Sequence, residues 1–186
     1  MNMSNPAKIR LSQDKYGMLF MGRCGVFIDA ANLSSSAQKL SLTVDYKKLA
    51  NFFKSNSQKT ILKYYGPTFN SKKQRPFFGM LRAKGIGVIT KPIKVIHDYH
   101  DKKDVRKANF DVEIAVDATR LVKNYDVFVL FSGDSDFQYL CQYLKKSKKT
   151  IVVFSTRWRI SKELIKLADH YFDINKFRNI FLKKRA

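Results

Sequence analysis

Short apolar runs alternate with amphipathic segments along most of the chain. The apolar runs predict buried strands at 25–29, 60–66, 85–90, 125–132 and 150–155. The amphipathic segments have helical spacing and predict helices at 44–54, 71–84, 110–124 and 135–147. Residues 160–182 predict a helix, a short strand and a last helix. Nearly all-apolar strands separated by helices are typical of a parallel sheet covered on both faces, so the predicted fold class is α/β.

Two segments do not follow this alternation. Residues 1–22 have no clear periodicity and predict an N-terminal arm, which leaves 23–186 as the domain. A chain of 186 residues has the length of one domain. The second segment, HDYHDKKDVRK at 97–107, is rich in charge and predicts a mobile surface loop.

Charge and cysteine content narrow the classes of protein. Lys and Arg total 36 against 15 Asp and Glu, a formal net charge of +21, which favours binding to a polyanion such as nucleic acid. Cys24 and Cys141 are far apart, which excludes a disulfide framework or zinc spacing and favours a cytoplasmic protein. No apolar run approaches the ~20 residues needed to span a bilayer, so we expect no membrane segment.

Acidic side chains follow the predicted strands despite this positive charge. Asp29 ends the first strand, and Asp134 and Asp136 follow the strand at 125–132 in the sequence SGDSD. Binding sites in parallel sheets form beyond the carboxyl ends of the strands. Asp111 is predicted to project onto the apolar face of its helix at the amino end, where a carboxylate needs a partner or a metal.

Each of these acids can alone be explained as a helix cap or a turn residue. Four carboxylates at one edge would repel each other unless a cation lay among them. Carboxylate oxygens are ligands suited to Mg²⁺ or Mn²⁺. Such an ion polarises a phosphate and lowers the pKa of a bound water, while basic side chains hold the phosphate backbone. The residues thus predict metal-dependent phosphodiester hydrolysis.

Four segments together resemble the NYN domain of the LabA-like group, which belongs to the PIN-like nuclease superfamily. They are FIDAANL at 27–33, NFDVEIAVD at 109–117, LFSGDSDF at 130–137 and ISKELIKLADHYFDI at 160–174. The resemblance implies a three-layer α/β/α sandwich with a mainly parallel central sheet, and a ribonuclease site that uses Mg²⁺ or Mn²⁺. The catalytic residues implied by motif position are Asp29, Asn32, Asp111, Asp134 and Asp136.

The same resemblance marks Asp117 as a further acid in the middle helix. Two positions depart from the family pattern. Ala30 and Ala31 stand where glycine is frequent, which leaves the acids intact. Before Asp111 the family usually has Lys-Gly-Val, whereas residues 107–110 here are Lys-Ala-Asn-Phe. The lysine is therefore displaced from its usual position relative to the acid.

The hypothesis assigns metal coordination to four carboxylates, those of Asp29, Asp111, Asp134 and Asp136. Asn32, Ser132 and Ser135 are candidates for hydrogen bonds to a metal-bound water or the scissile phosphate. Trp158 is a candidate for stacking on a base, with Arg157 and Arg159 on phosphates. The alternative for Trp158 is packing in the core. Further nucleic-acid candidates are Lys91 and Lys94.

Three other functions are alternatives to this hypothesis. A non-catalytic RNA-binding or scaffold domain of the same fold is the main alternative. A haloacid dehalogenase-type phosphohydrolase needs a second aspartate two positions after Asp29, where Ala31 stands. A dinucleotide-binding fold needs G-x-G-x-x-G after a strand, which is absent. RNA is the expected partner, DNA stays open, and a homodimer is possible.

Overall fold

The computed structural model describes residues 18–69, 71–98 and 103–185, and within these it leaves out the side chains of 18, 94–98 and 103–107. The strands are β1 (Arg23–Asp29), β2 (Leu42–Val44), β3 (Lys59–Tyr65), β4 (Ile86–Ile89), β5 (Lys94–Asp98), β6 (Lys103–Lys107), β7 (Val127–Phe131), β8 (Thr150–Ser155), β9 (His170–Asp173) and β10 (Leu182–Lys184). The helices are α1 (Ala30–Lys39), α2 (Tyr46–Asn56), α3 (Gln74–Ala83), α4 (Asp111–Leu121), α5 (Gln138–Lys146) and α6 (Lys162–Leu167).

Six strands form a central sheet in the order β4-β3-β1-β7-β8-β9. Every neighbouring pair in it is parallel. The register places Asp29 opposite Tyr65 and Ile28 opposite Phe131, so β1, β3 and β7 end side by side. The segments that follow these strands therefore begin next to one another at the carboxyl edge.

Helices cover both faces of the sheet. Val26 and Ile28 of β1 point to a core that also contains side chains of α1, α2 and α3, whereas Phe27 points to a second core lined by α4, α5 and α6. Successive strand residues alternate between the faces because of the pleat. The first core is rich in aromatic contacts, such as the stacked rings of Phe131 and Phe154 at 4.7 Å. The predicted α/β/α sandwich is confirmed.

Helix α1 is absent from the sequence prediction. Its central residues are three serines at 34–36, which compete with the backbone for hydrogen bonds and are weak helix formers. The helix is stabilised at its start, where the Asp29 carboxylate accepts a hydrogen bond from the Asn32 amide at 3.1 Å. Leu33 and Ala37, one turn apart, are both buried against the sheet.

The predicted loop is wrong at 97–98 and 103–107, because these residues belong to β5 and β6, which pair as an antiparallel hairpin. The register places His97 opposite Asp104 and Asp98 opposite Lys103. Charge alone predicts a loop, but both strands carry β-branched residues, and the register pairs Ile96 with Val105 and Asp98 with Lys103, which favours a hairpin. The rest of the predicted loop, residues 99–102, lies outside the described residues.

The last predicted helix is also wrong. A 3₁₀ turn at Ile174–Phe177 is followed by β10, which pairs antiparallel with β2. Val44, predicted as part of a helix, is the last residue of β2. Phe177 and Phe181 are fully buried, so the apolar pattern of this segment reflects core packing rather than a helical face.

A 3₁₀ turn at Met18–Phe20 precedes the sheet. Phe20 is fully buried and its ring contacts Phe53 edge to face at 5.2 Å, although it comes before the predicted domain boundary at 22. The predicted arm otherwise falls on residues 1–17, which are not described. None of the helices in the ranges given above has the length and apolar content needed to cross a bilayer.

Candidate metal centre

Three carboxylates meet at the carboxyl edge of the sheet. One oxygen from each of Asp111, Asp134 and Asp136 lies within 4.8 Å of the other two. Asp111 is the first residue of α4 and is half-buried, whereas Asp134 and Asp136 follow β7 and are exposed. The cluster is thus built from two elements of the carboxyl edge, and solvent reaches it.

The segment between β7 and α5 is held by its own hydrogen bonds. The Asp134 amide donates to the buried Ser132 hydroxyl at 3.3 Å. The Asp134 carboxylate caps the 3₁₀ helix Ser135–Phe137 by accepting from the Asp136 amide at 3.1 Å. Capping, which was the alternative explanation for Asp134, therefore coexists with its position in the cluster.

Asp29 is linked to the cluster through Ser132. The Ser132 hydroxyl donates to one Asp29 oxygen at 3.1 Å, and the other oxygen accepts from the Asn32 amide at 3.1 Å. Burial raises the pKa of Asp29, against the hydrogen bonds from Asn32 and Ser132, and the negative charge of Asp111 raises it further. Asp29 is outside the group of three but close enough to Asp111 to interact with it.

The start of α4 is also fixed locally. The Asp111 amide donates to the side-chain oxygen of Asn109 at 3.0 Å, two residues earlier. Asn109 stands in the lead where the sequence departs from the family pattern, and it accepts this bond as a turn residue. This bond fixes the start of α4, from which Asp111 reaches the cluster.

The other acids of α4 have lysine partners. Lys63 and the Tyr65 hydroxyl, both on β3, donate to the Asp117 carboxylate at 2.8 Å each. Lys91 donates to Glu113 at 2.7 Å and lies over the Phe110 ring at 4.6 Å. These partners relieve the repulsion expected between Glu113 and Asp117 one turn apart. Among the described side chains, by contrast, no lysine or arginine forms an ion pair with Asp134 or Asp136.

We expect Asp117→Asn to lower the free energy of unfolding by about 1 kcal/mol, because it removes the ion pair with Lys63 from a site that is about one fifth exposed. Burial opposes ionisation, but the bonds from Lys63 and Tyr65 outweigh it and lower the pKa of Asp117. The stabilisation is therefore present above the ordinary carboxyl pKa and disappears as the pH falls through the lowered pKa. Urea unfolding at several pH values measures it, and an unfolding free energy that is the same in the variant and the wild type would contradict a stabilising role of the Lys63–Asp117 pair.

The segment after β8 packs against the SGDSD segment at Gly133. The Ser161 amide donates to the Gly133 carbonyl at 2.9 Å. Gly133 leaves no room for a side chain, since an added Cβ would collide with the backbone carbonyl of Arg159 and lie 2.6 Å from Ser155 Oγ. The glycine of SGDSD is thus needed for close approach of the two segments rather than for an unusual backbone angle.

The predicted nucleic-acid residues fall at separate places. Trp158 is 58% exposed, so it does not pack in the core, and the Arg157 guanidinium lies over its ring at 4.6 Å. Arg159 donates to Ser35 of α1 at 2.7 Å. Lys91 follows β4 and pairs with Glu113, as described above. The Lys94 side chain lies outside the described residues.

The remaining candidates, Asn32 and Ser135, lie in the first turns that follow β1 and β7. Three contributors to the site were not found from sequence. Gly133, Ser35 and Asn109 act through close approach or a hydrogen bond to another element, and no linear pattern indicates that role for Gly133 or Ser35. Asn109 does carry a signal, since asparagine two residues before a helix is a frequent turn residue.

The sequence profile of the NYN domain matches residues 23–175. The chain is 33% identical over 165 residues to the low amplitude and bright protein LabA of Synechococcus elongatus, covering 87% of this chain and 88% of that protein. The chain therefore belongs to the NYN domain family, a PIN-like and nuclease-related group. Its fold is similar to the crystal structure of a protein of unknown function from Vibrio parahaemolyticus RIMD 2210633. The two have a TM-score of 0.73 and 26% identity, over 87% of this chain and 96% of that one.

Proposed function

We propose that this protein is a metal-dependent ribonuclease whose site is formed by Asp111, Asp134 and Asp136, with Asp29 beside them. The observation that carries the proposal is the approach of three carboxylates to within 4.8 Å of one another in a chain of net charge +21. Membership of a nuclease-related family supports it. A site that attracts a cation within a body that attracts a polyanion is suited to phosphodiester chemistry.

The donor set fits Mg²⁺ or Mn²⁺. It consists of carboxylate oxygens, without a thiolate, and these ions prefer oxygen ligands and retain several waters when few carboxylates bind them. Asp111, Asp134 and Asp136 would hold the ion, and like charges this close are stabilised by a cation among them. When bound, the ion would polarise a phosphate oxygen and lower the pKa of a water.

The residues around the cluster would orient it. Ser132 is fully buried, donates to Asp29 and accepts from the Asp134 amide, so one hydroxyl couples two of the proposed site's carboxylate residues. Asn32 would donate to a phosphate oxygen or a water from the first turn of α1. Basic side chains elsewhere on the surface would hold the RNA backbone by charge.

Cation binding is tested without any substrate. We expect Mg²⁺ or Mn²⁺ to raise the melting temperature of the wild-type protein, because a ligand that binds only the folded state stabilises it. Asp134→Asn should abolish this shift and slightly raise the melting temperature without metal, since one of three neighbouring negative charges is gone. Differential scanning fluorimetry with and without EDTA measures both effects. An equal metal-induced shift in the variant would show that the ion binds elsewhere.

A further inference from the structure

A tight turn after β8 presents an exposed aromatic side chain, and the segment that forms this turn packs against Gly133, next to Asp134. The Arg159 amide donates to the Thr156 carbonyl at 2.9 Å, which places Arg157 and Trp158 at the tip. Trp158 is 58% exposed, whereas Ser155 and Thr156 at the base of the turn are buried. A large aromatic ring held in solvent contributes little to the core, and its face can stack on another flat ring.

The turn is anchored on two sides, so the backbone that carries the indole is held in place. The Arg159 guanidinium donates to Ser35 of α1 at 2.7 Å, and the Ser161 amide donates to the Gly133 carbonyl at 2.9 Å. Gly133 directly precedes Asp134. The tip therefore projects from a base that is in contact with the segment carrying two of the three clustered acids.

One face of the Trp158 ring is already occupied. The Arg157 guanidinium lies 4.6 Å from the ring centroid, a cation–π contact that favours this orientation of the indole. A guanidinium in this position can still donate to a phosphate, because its N–H groups lie in its plane rather than towards the ring. Because Trp158 is 58% exposed, much of the indole lies open to solvent and is accessible to a flat ring.

We propose that Trp158 stacks on one unpaired nucleobase of the strand whose phosphate lies at the acidic cluster. In this arrangement Arg157 keeps the indole oriented and adds positive charge, and Arg159 is a positioning residue that acts through Ser35. The proposal rests on the proposed function, since it places the strand at the same site. A nucleobase is favoured over an apolar peptide because the turn carries two arginines and the chain has net charge +21.

The chain has one tryptophan, so its intrinsic tryptophan fluorescence reports on this position alone. The test uses full-length Asp134→Asn protein, which avoids cleavage during titration. The probes are a single-stranded oligoribonucleotide, a strand of equal length without bases, and a duplex. We expect the base-containing single strand to quench Trp158 fluorescence, and the other two to bind with little quenching.

Variants separate stacking from charge. Trp158→Ala should weaken binding of the base-containing strand by about 5- to 100-fold and leave the baseless strand unaffected, with the same dependence on salt. Trp158→Phe should retain most of the affinity. Ser35→Ala, which changes no charge, should weaken base-dependent binding in part. Tyr143→Ala is the control, because it removes another exposed aromatic side chain, on α5. We expect it to leave binding of all three probes unchanged.

Unchanged binding in Trp158→Ala, or unchanged fluorescence at saturation with the single strand, would overturn the proposal. Equal quenching by an acidic peptide would also overturn it. Its failure is distinguishable from failure of the proposed function. Cleavage that is insensitive to Trp158→Ala would contradict only the stacking, and quenching without any hydrolysis by the wild-type protein would contradict only the nuclease activity.

Discussion

Replacing Asp134 with asparagine is expected to lower the rate of RNA cleavage on the order of a thousandfold, equivalent to about 4 kcal/mol in the barrier. Asparagine has the same shape and can still accept the hydrogen bond from the Asp136 amide, so the cap of the 3₁₀ helix is kept. What is lost is one negative charge among three carboxylates within 4.8 Å of one another. Single-turnover cleavage of labelled RNA in saturating Mg²⁺ measures the effect.

Asp173→Asn is the matched control for this variant. Asp173 is the last residue of β9 and so also lies at the carboxyl edge of the sheet. Its carboxylate caps a 3₁₀ helix in the same way, by accepting a hydrogen bond from the Asn175 amide at 2.9 Å. It lies on β9, two strands away from β7 in the sheet order. We expect it to cleave at the wild-type rate. Equal losses in both variants would mean that the caps matter and the cluster does not.

Gly133→Ala is expected to reduce both stability and cleavage. The added Cβ would collide with the backbone carbonyl of Arg159, and a backbone group cannot swing aside as a side-chain end can. Separating the two segments should cost about 2–3 kcal/mol of unfolding free energy. It should also displace Asp134, and a misplacement of about 1 Å at a site lowers the rate by roughly a hundredfold. Urea unfolding and the same cleavage assay measure the two losses.

Gly79→Ala is the control for Gly133→Ala, because it adds the same methyl group at a position with open space. Gly79 lies within α3, and an added Cβ there would meet nothing within 4 Å. Alanine is the better helix former, so we expect a gain of about 0.5–1 kcal/mol and unchanged cleavage. If Gly133→Ala were as well tolerated as Gly79→Ala, the close contact between the SGDSD segment and the segment after β8 would not be required.

The sheet and most of the acidic cluster could be predicted because the determinants are local. Buried parallel strands are continuous apolar runs, and the acids follow those runs directly, so chain order alone places Asp134 and Asp136 at the carboxyl edge. Asp111 was located from its position at the start of a helix with one apolar face. The three acids do meet in the structure.

The remaining features depend on contacts between distant segments. Asp117 pairs with Lys63 and Tyr65 instead of joining the acidic cluster, and both partners lie more than 50 residues earlier in the chain. Helix α1 forms because Asp29 caps it and the sheet buries Leu33, in spite of its serines. Likewise, the hydrogen bond from Ser132 to the Asp29 carboxylate joins residues that are 103 positions apart in the chain. Hydrogen-bond partners from distant parts of the chain cannot be predicted from composition and spacing.

The central claim is tested most directly by cleavage of RNA with and without a divalent ion. Protein treated with EDTA should leave a labelled single-stranded RNA intact, and addition of Mg²⁺ or Mn²⁺ should restore cutting in the wild type but not in Asp134→Asn. A DNA strand of the same sequence, run in parallel, tests whether the substrate is RNA alone. Intact RNA in the presence of metal, with folded protein bound to it, would contradict the account and identify a non-catalytic RNA-binding domain.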